Sequence, residues 1–301
     1  MFRTVVAGLD GSSESRSATE WAAREARLRG LPLTIVHVWE PIPAPMAQAP
    51  LLGAETQQNW TERMPREAAD AIRLRHPDME LTIEQRTGDA TEALLDAAKE
   101  AELIVLGSRG LSGIGGFMVG SVGLSVAARS ERPVVLVRAG EQATDEHEPD
   151  ADGLPSTQTP FRPVVLGLDA NSPDGTLIEF AFEEAARRGT RLRVLHGWNL
   201  PPYYVYGLTV DIELQDEIVR QQAALLADAL KPWRQKFPDV EVSEEVPAGS
   251  PGARLVDVSR EASLVVVGRR IRRRPFGAHI GPVTHAVLHH AVAPVAVVPH
   301  H

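Results

Sequence analysis

The sequence predicts an α/β fold built twice, with a doubly wound, open, parallel five-stranded sheet in each half of the chain. Three observations predict it. Short, continuously apolar runs alternate with segments of helical period, the pattern of parallel strands covered on both faces. The alternation then recurs in the second half in the same order. A length of 301 residues, 43% hydrophobic and 24% charged, is a globular composition sufficient for about two domains.

In the first half, residues 4–9 form a short apolar run and Asp10-Gly11-Ser12-Ser13 a turn. Ala18, Trp21, Ala22, Ala26 and Leu28 are spaced as on one helix face, which predicts a helix over 15–29 ended by Gly30. Residues 33–38 read as the second strand. Residues 55–75 read as a helix in which Pro65 predicts a break or kink. Residues 80–86 alternate as a strand. Asp89-Ala90-Thr91-Glu92 is a capping-box pattern with Asp89 as the cap, opening a helix to about Lys99. Residues 103–106 read as a buried strand, followed by a glycine-rich loop, a helix over about 120–129 and a last strand over 134–137.

Val5-Val6-Ala7-Gly8-Leu9-Asp10 matches Val164-Val165-Leu166-Gly167-Leu168-Asp169 at an offset of about 159. Glu25, Arg29 and Gly30 recur as Glu184, Arg188 and Gly189. Farther on the offset becomes about 161, and Leu103-Ile104-Val105-Leu106-Gly107 matches Leu264-Val265-Val266-Val267-Gly268. The domains expected are 1–140 and 161–301. The acidic, polar stretch 141–160 between them lacks apolar period and reads as a linker.

Composition removes several classes of function. The chain has no cysteine, so disulfides, zinc thiolates, iron–sulfur clusters and thiol nucleophiles are excluded. A formal charge of −9 opposes general nucleic-acid binding. The first residues lack a signal-peptide core and no apolar run approaches membrane-helix length, which gives a cytoplasmic expectation.

The most informative segment runs from Gly107 to Ser121. It follows a buried strand and ends where a helix begins. Glycines let backbone N–H groups approach an anion, and a helix N-terminus adds free donors and a positive dipole end. Ser121 can add a hydroxyl. The loop lacks the Lys of a phosphate-binding P-loop, and Met118 stands where a dinucleotide fingerprint needs its third glycine.

The spacing Gly107-x2-Gly110-x9-Gly120-Ser121, the Val-Val-x-Gly-x-Asp-Gly-Ser opening, the His37-Val38 pair and the terminal Pro-Val-Val-Leu-Val strand resemble the ATP-binding universal stress proteins, in tandem. The resemblance covers the whole chain outside the linker. It implies an adenine-alpha-hydrolase-like sheet of order 3-2-1-4-5, with ATP between the ends of the first and fourth strands and Mg²⁺ on its phosphates. Carried onto this sequence, Gly8 and Asp10 lie near the adenosine, Asp10 being the acid nearest the metal. Val38 meets adenine through its backbone, and Leu106 packs beside the base. Gly107, Arg109, Gly110, Gly120, Ser121 and Val122 surround ribose and phosphates. Asp10 also has a plain reading as a turn cap.

The second copy departs from this pattern. Asp169, Gly197, Gly268 and Gly281 stand at the corresponding positions, but Ile271 replaces the second glycine and Pro282 replaces the serine. Arg269, Arg270, Arg272, Arg273 and Arg274 make the loop basic. Two readings stay open: the arginines hold phosphate in place of the backbone, or the second site is degenerate. Degeneracy is the reading preferred, with ATP bound more tightly by the first domain.

Catalysis has little support in the residues. His285 and His289 have a metal-compatible spacing but read as helix surface, His37 and His196 as packing residues, and Glu183-Glu184 as a solvated face. The expectation is an ATP-binding stress-response regulator and not an efficient enzyme. A slow ATPase or phosphotransferase, or a nucleotide-free interaction module, are the alternatives. The resemblance further implies pairing through the last strand, within one chain and in a homodimer.

Overall fold

A computed structural model describes residues 3–39, 54–108, 120–198, 212–271 and 280–301. The chain divides into two compact units, Met1–Ala143 and Thr144–His301.

The first unit contains β1 (Thr4–Gly8), α1 (Ser13–Arg29), β2 (Leu33–Trp39), α2 (Ala54–Arg75), β3 (Leu81–Thr87), α3 (Ala90–Lys99), β4 (Ala101–Ser108), α4 (Ser121–Arg129) and β5 (Val134–Arg138). Its strands are parallel in the order β3-β2-β1-β4-β5. Val5 pairs with Leu33 on one side and Leu103 on the other, and Ile104 pairs with Val134. These central residues are almost wholly buried, as covering helices on both faces require. β3 is the edge strand and keeps an alternating, half-exposed pattern.

Local chemistry fixes the helix ends. The Ser12 hydroxyl caps α1 by accepting the Ser15 N–H at 3.1 Å. Gly30, at φ 63°, closes it in the left-handed conformation that glycine adopts without strain. Asp89 caps α3 by accepting the Glu92 N–H at 2.9 Å. The break expected at Pro65 does not occur, since α2 continues through it. Burial of Met64, Ala69 and Ile72 offsets the roughly 3 kcal/mol that an interior proline costs.

The second unit contains β6 (Val164–Gly167), α5 (Gly175–Arg188), β7 (Leu192–Leu195), α6 (Ile212–Lys236), β8 (Val242–Glu245), α7 (Pro251–Val258), β9 (Leu264–Arg270), α8 (Pro282–His290) and β10 (Val295–His300). Its parallel order reads β8-β7-β6-β9-β10, the same arrangement.

One sequence reading changes here, that of Glu184. Residues 144–160, the polar stretch between the two repeats, group with the second unit. Glu148 N–H donates to Pro160 O at 2.9 Å, Arg162 N–H donates to Glu146 O at 2.8 Å, and the His147 and Phe161 rings lie 4.1 Å apart. A stretch with no core of its own is thus ordered by backbone pairing and one ring contact. Glu184 is not on a solvated face. It is fully buried and ion-paired with Arg187 and the equally buried Arg188, and the first unit repeats the arrangement with Glu25 and Arg29. Helical spacing shows that Glu184 and Arg188 share a face but not that the face turns inward.

Candidate functional site

In each unit the strand order reverses between the first and fourth strands, and the crevice at their carboxyl ends is where ligands bind in such sheets. Both units have a cavity there.

The first cavity measures about 190 Å³. Gly8, Asp10, Val38, Leu106, Gly107, Gly120, Ser121 and Val122 all line it. Of the residues carried over by the resemblance, Arg109 and Gly110 lie outside the described residues. β1 and β4 bring Gly8, Leu106 and Gly107 side by side, and β2 brings Val38. Gly120 is the N-cap of α4 and makes no side-chain capping bond, so the first turn of α4 opens on the cavity without a side-chain cap.

Asp10 is a turn residue here. Its Oδ1 accepts the Ser12 N–H at 3.0 Å and the Ser12 hydroxyl at 2.6 Å. Gly107 lies against the first turn of α1, and a Cβ on it would sit 2.6 Å from Glu14 C and 2.7 Å from Ser15 N. Glu14 and Ser15 therefore enter the cavity wall, together with Ala90 and Leu94 of α3. Sequence reasoning missed these four. Glu14 carried a signal, an acid in the first turn of a helix directly after a capping serine. Among the described residues no three His, Asp or Glu side chains converge as metal ligands. Asp10 and Glu14 are the acids on the cavity wall.

The second cavity measures about 830 Å³. Asp169, Gly197, Gly268 and Gly281 line it, so the altered motif has not closed the crevice. Arg272, Arg273 and Arg274 lie outside the described residues. Pro282 occupies the first position of α8, again behind an N-cap glycine with no side-chain cap. Ile271 does not turn toward the cavity as a cradle residue: its N–H donates to His300 O at 2.6 Å, extending the β9–β10 ladder.

The extra room has a local cause. α1 begins at Ser13, after Gly11 has turned the chain at φ 88°. Ala170 takes Gly11's place, no non-glycine residue among those described has positive φ, and Pro173 disfavours helix at the residue before it. α5 therefore begins only at Gly175, with Asp174 as its cap. The missing first turn leaves Asn171, Ser172 and Asp174 on the cavity wall, and His300 covers Gly268 instead.

His37 and His196 differ in the same way. Both rings meet the carbonyl at the end of the first strand, His37 Nδ1 lying 2.8 Å from Leu9 O and His196 Nδ1 3.1 Å from Leu168 O. His37 is a packing residue, as read from sequence. His196 also faces the cavity, with Nε2 2.8 Å from Gln222 Oε1. The His285 and His289 rings lie 4.2 Å apart on α8, tilted by 39° to each other. Burial first, and then the neighbouring His289 and His290, hold the His285 pKa below its usual value.

No described helix is long and apolar enough to cross a membrane. A family profile described as "Universal stress protein family" matches residues 1–138 and again 160–299. A universal stress protein of Mycolicibacterium smegmatis is 32% identical over 304 residues, covering 98% of this chain and 96% of its own. Universal stress protein Rv2005c of Mycobacterium tuberculosis is 34% identical over 314 residues, covering 97% and 96%. The crystal structure of a universal stress protein from Archaeoglobus fulgidus covers 98% of both chains with a TM-score of 0.66, and at 16% identity it speaks for the fold alone.

Proposed function

The chain belongs to the universal stress protein family along both halves, and from that premise we propose that its first domain binds ATP as a regulatory ligand. The observation that carries this reading is the convergence of eight residues, scattered from Gly8 to Val122 in sequence, on one cavity at the uncapped start of α4. A cavity of about 190 Å³ lies below the usual range for whole ligands, and suits the base and ribose. The phosphates then run outward along the N–H groups of α4, where the helix dipole favours negative charge. The ligand then acts by favouring one conformation or partner over another, and not by rapid turnover.

The test is Ser121→Pro, which copies Pro282 of the second domain. A proline at this helix position leaves the fold intact but removes one N–H and one hydroxyl. Titration calorimetry with ATP should show affinity falling about tenfold or more, from charge-assisted hydrogen bonds worth about 1.5–3 kcal/mol each. Unchanged affinity, or no ATP binding by the unaltered chain, refutes the reading.

A further inference from the structure

The second cavity is roomier than the first and carries both acidic and basic side chains on its wall. Its two carboxylates are engaged by their own loops. Asp169 Oδ1 accepts from Asn171 N at 3.1 Å and from Asn171 Nδ2 at 3.3 Å. Asp174 Oδ1 caps α5, accepting from Thr176 N at 2.9 Å and Leu177 N at 3.3 Å, while its Oδ2 lies 3.6 Å from His300 Nδ1.

Donors remain on offer. His196 Nδ1 lies 3.2 Å from Ala170 N and 3.1 Å from Leu168 O, and its ring faces the cavity. Its Nε2 lies 2.8 Å from the Gln222 side-chain amide, which shares the cavity wall. Arg270 gives one N–H to Ser172 Oγ at 3.0 Å, and its fork holds four more. Val283 and Thr284 follow Pro282 in the uncapped first turn of α8.

The rest of the wall is apolar, with Trp198, Ile218, Pro251 and Leu255 prominent. Trp198 is anchored by its Nε1–H, which donates to Val246 O at 3.1 Å. At about 830 Å³ the space falls within the range of small-molecule sites. Among the described residues two donors of a polyphosphate cradle are lost: the Ile271 N–H is spent on His300 O, and Pro282 has none.

We infer that the second domain binds an amphipathic organic anion, with its aromatic or aliphatic body against Trp198 and Ile218 and a single anionic head among Gln222, Arg270 and the start of α8. The two domains would then read different ligands, one a nucleotide and the other a small organic acid. The inference does not depend on ATP binding by the first domain.

Anilinonaphthalene sulfonate, an aromatic body with one anionic head, is the probe, and the full chain is titrated by fluorescence and calorimetry. One saturable site is expected in the unaltered chain and in Ser121→Pro. Phenylnaphthylamine, which lacks the sulfonate, should bind at least about tenfold more weakly, the scale of one charge-assisted hydrogen bond. Gln222→Glu sets a carboxylate on the cavity wall, where it should repel the anionic head and weaken its binding by a similar factor. Arg270 is exposed, so Arg270→Gln is a second variant that leaves folding undisturbed and should weaken it too. The inference is overturned if the charged and neutral probes bind equally, or if both variants keep the unaltered affinity. It is also overturned if ATP displaces the probe from Ser121→Pro, because the cavity is then a second nucleotide site.

Discussion

The backbone nitrogen of Ser15 lies 2.7 Å from the point where a Cβ on residue 107 would stand, so α1 begins in direct contact with β4. That contact narrows the first cavity. In the second domain the nearest atoms to a Cβ on the same glycine, Gly268, belong to the side chains of His300 and Leu177.

Gly107→Ala should therefore destabilise the chain by about 1–3 kcal/mol, the usual cost of overpacking against atoms that cannot yield. Gly268→Ala should cost less, because the nearest atom, His300 Nε2 at 2.7 Å, ends a side chain that can turn away. Thermal denaturation of the two variants decides it, and equal losses would contradict the difference in packing.

Glu184→Ala should cost about 3–5 kcal/mol by leaving Arg188 charged and buried beside an empty site. Replacing both residues with leucine should recover much of that loss, since an apolar pair of similar size needs no desolvation of charge. Denaturant unfolding of the single and double variants measures the effect. A single variant no less stable than the parent would mean that the pair is exposed in solution.

His76 should titrate below the usual 6.5, because burial and then the charges of Arg27, Arg75 and Arg24 disfavour its protonated form. The sign follows from linkage. Between the folded pKa and 6.5 the unfolded chain binds more protons, so stability drops as pH falls through that window and the loss is complete below it. Arg27→Gln should move the pKa back up. Proton NMR titration of the His76 ring reads both changes, and a value at or above 6.5 in the parent would show the ring to be solvated.

Much of this protein can be read along the chain. The internal repeat, the helix caps at Gly30 and Asp89, and the glycine spacing that ends at Ser121 are local features, each fixed by residues a few positions apart. Period and capping also identify Glu184 and Arg188 as neighbours on one helix. They do not reveal which way that face points, because burial is set by a sheet formed from distant residues.

Read in order, the residues are enough to show that two similar sheets form and that each has a crevice ending in a helix N-terminus. Which crevice is roomy is set by packing between distant segments. Substituting Ile271 and Pro282 suggested that the second site had decayed, yet it is the larger, because Ala170 and Pro173 delay α5 by a turn and a terminal-strand side chain stands in for the missing helix. The volume of a cavity depends on what several non-neighbouring segments leave unfilled, and no single stretch of chain carries that quantity.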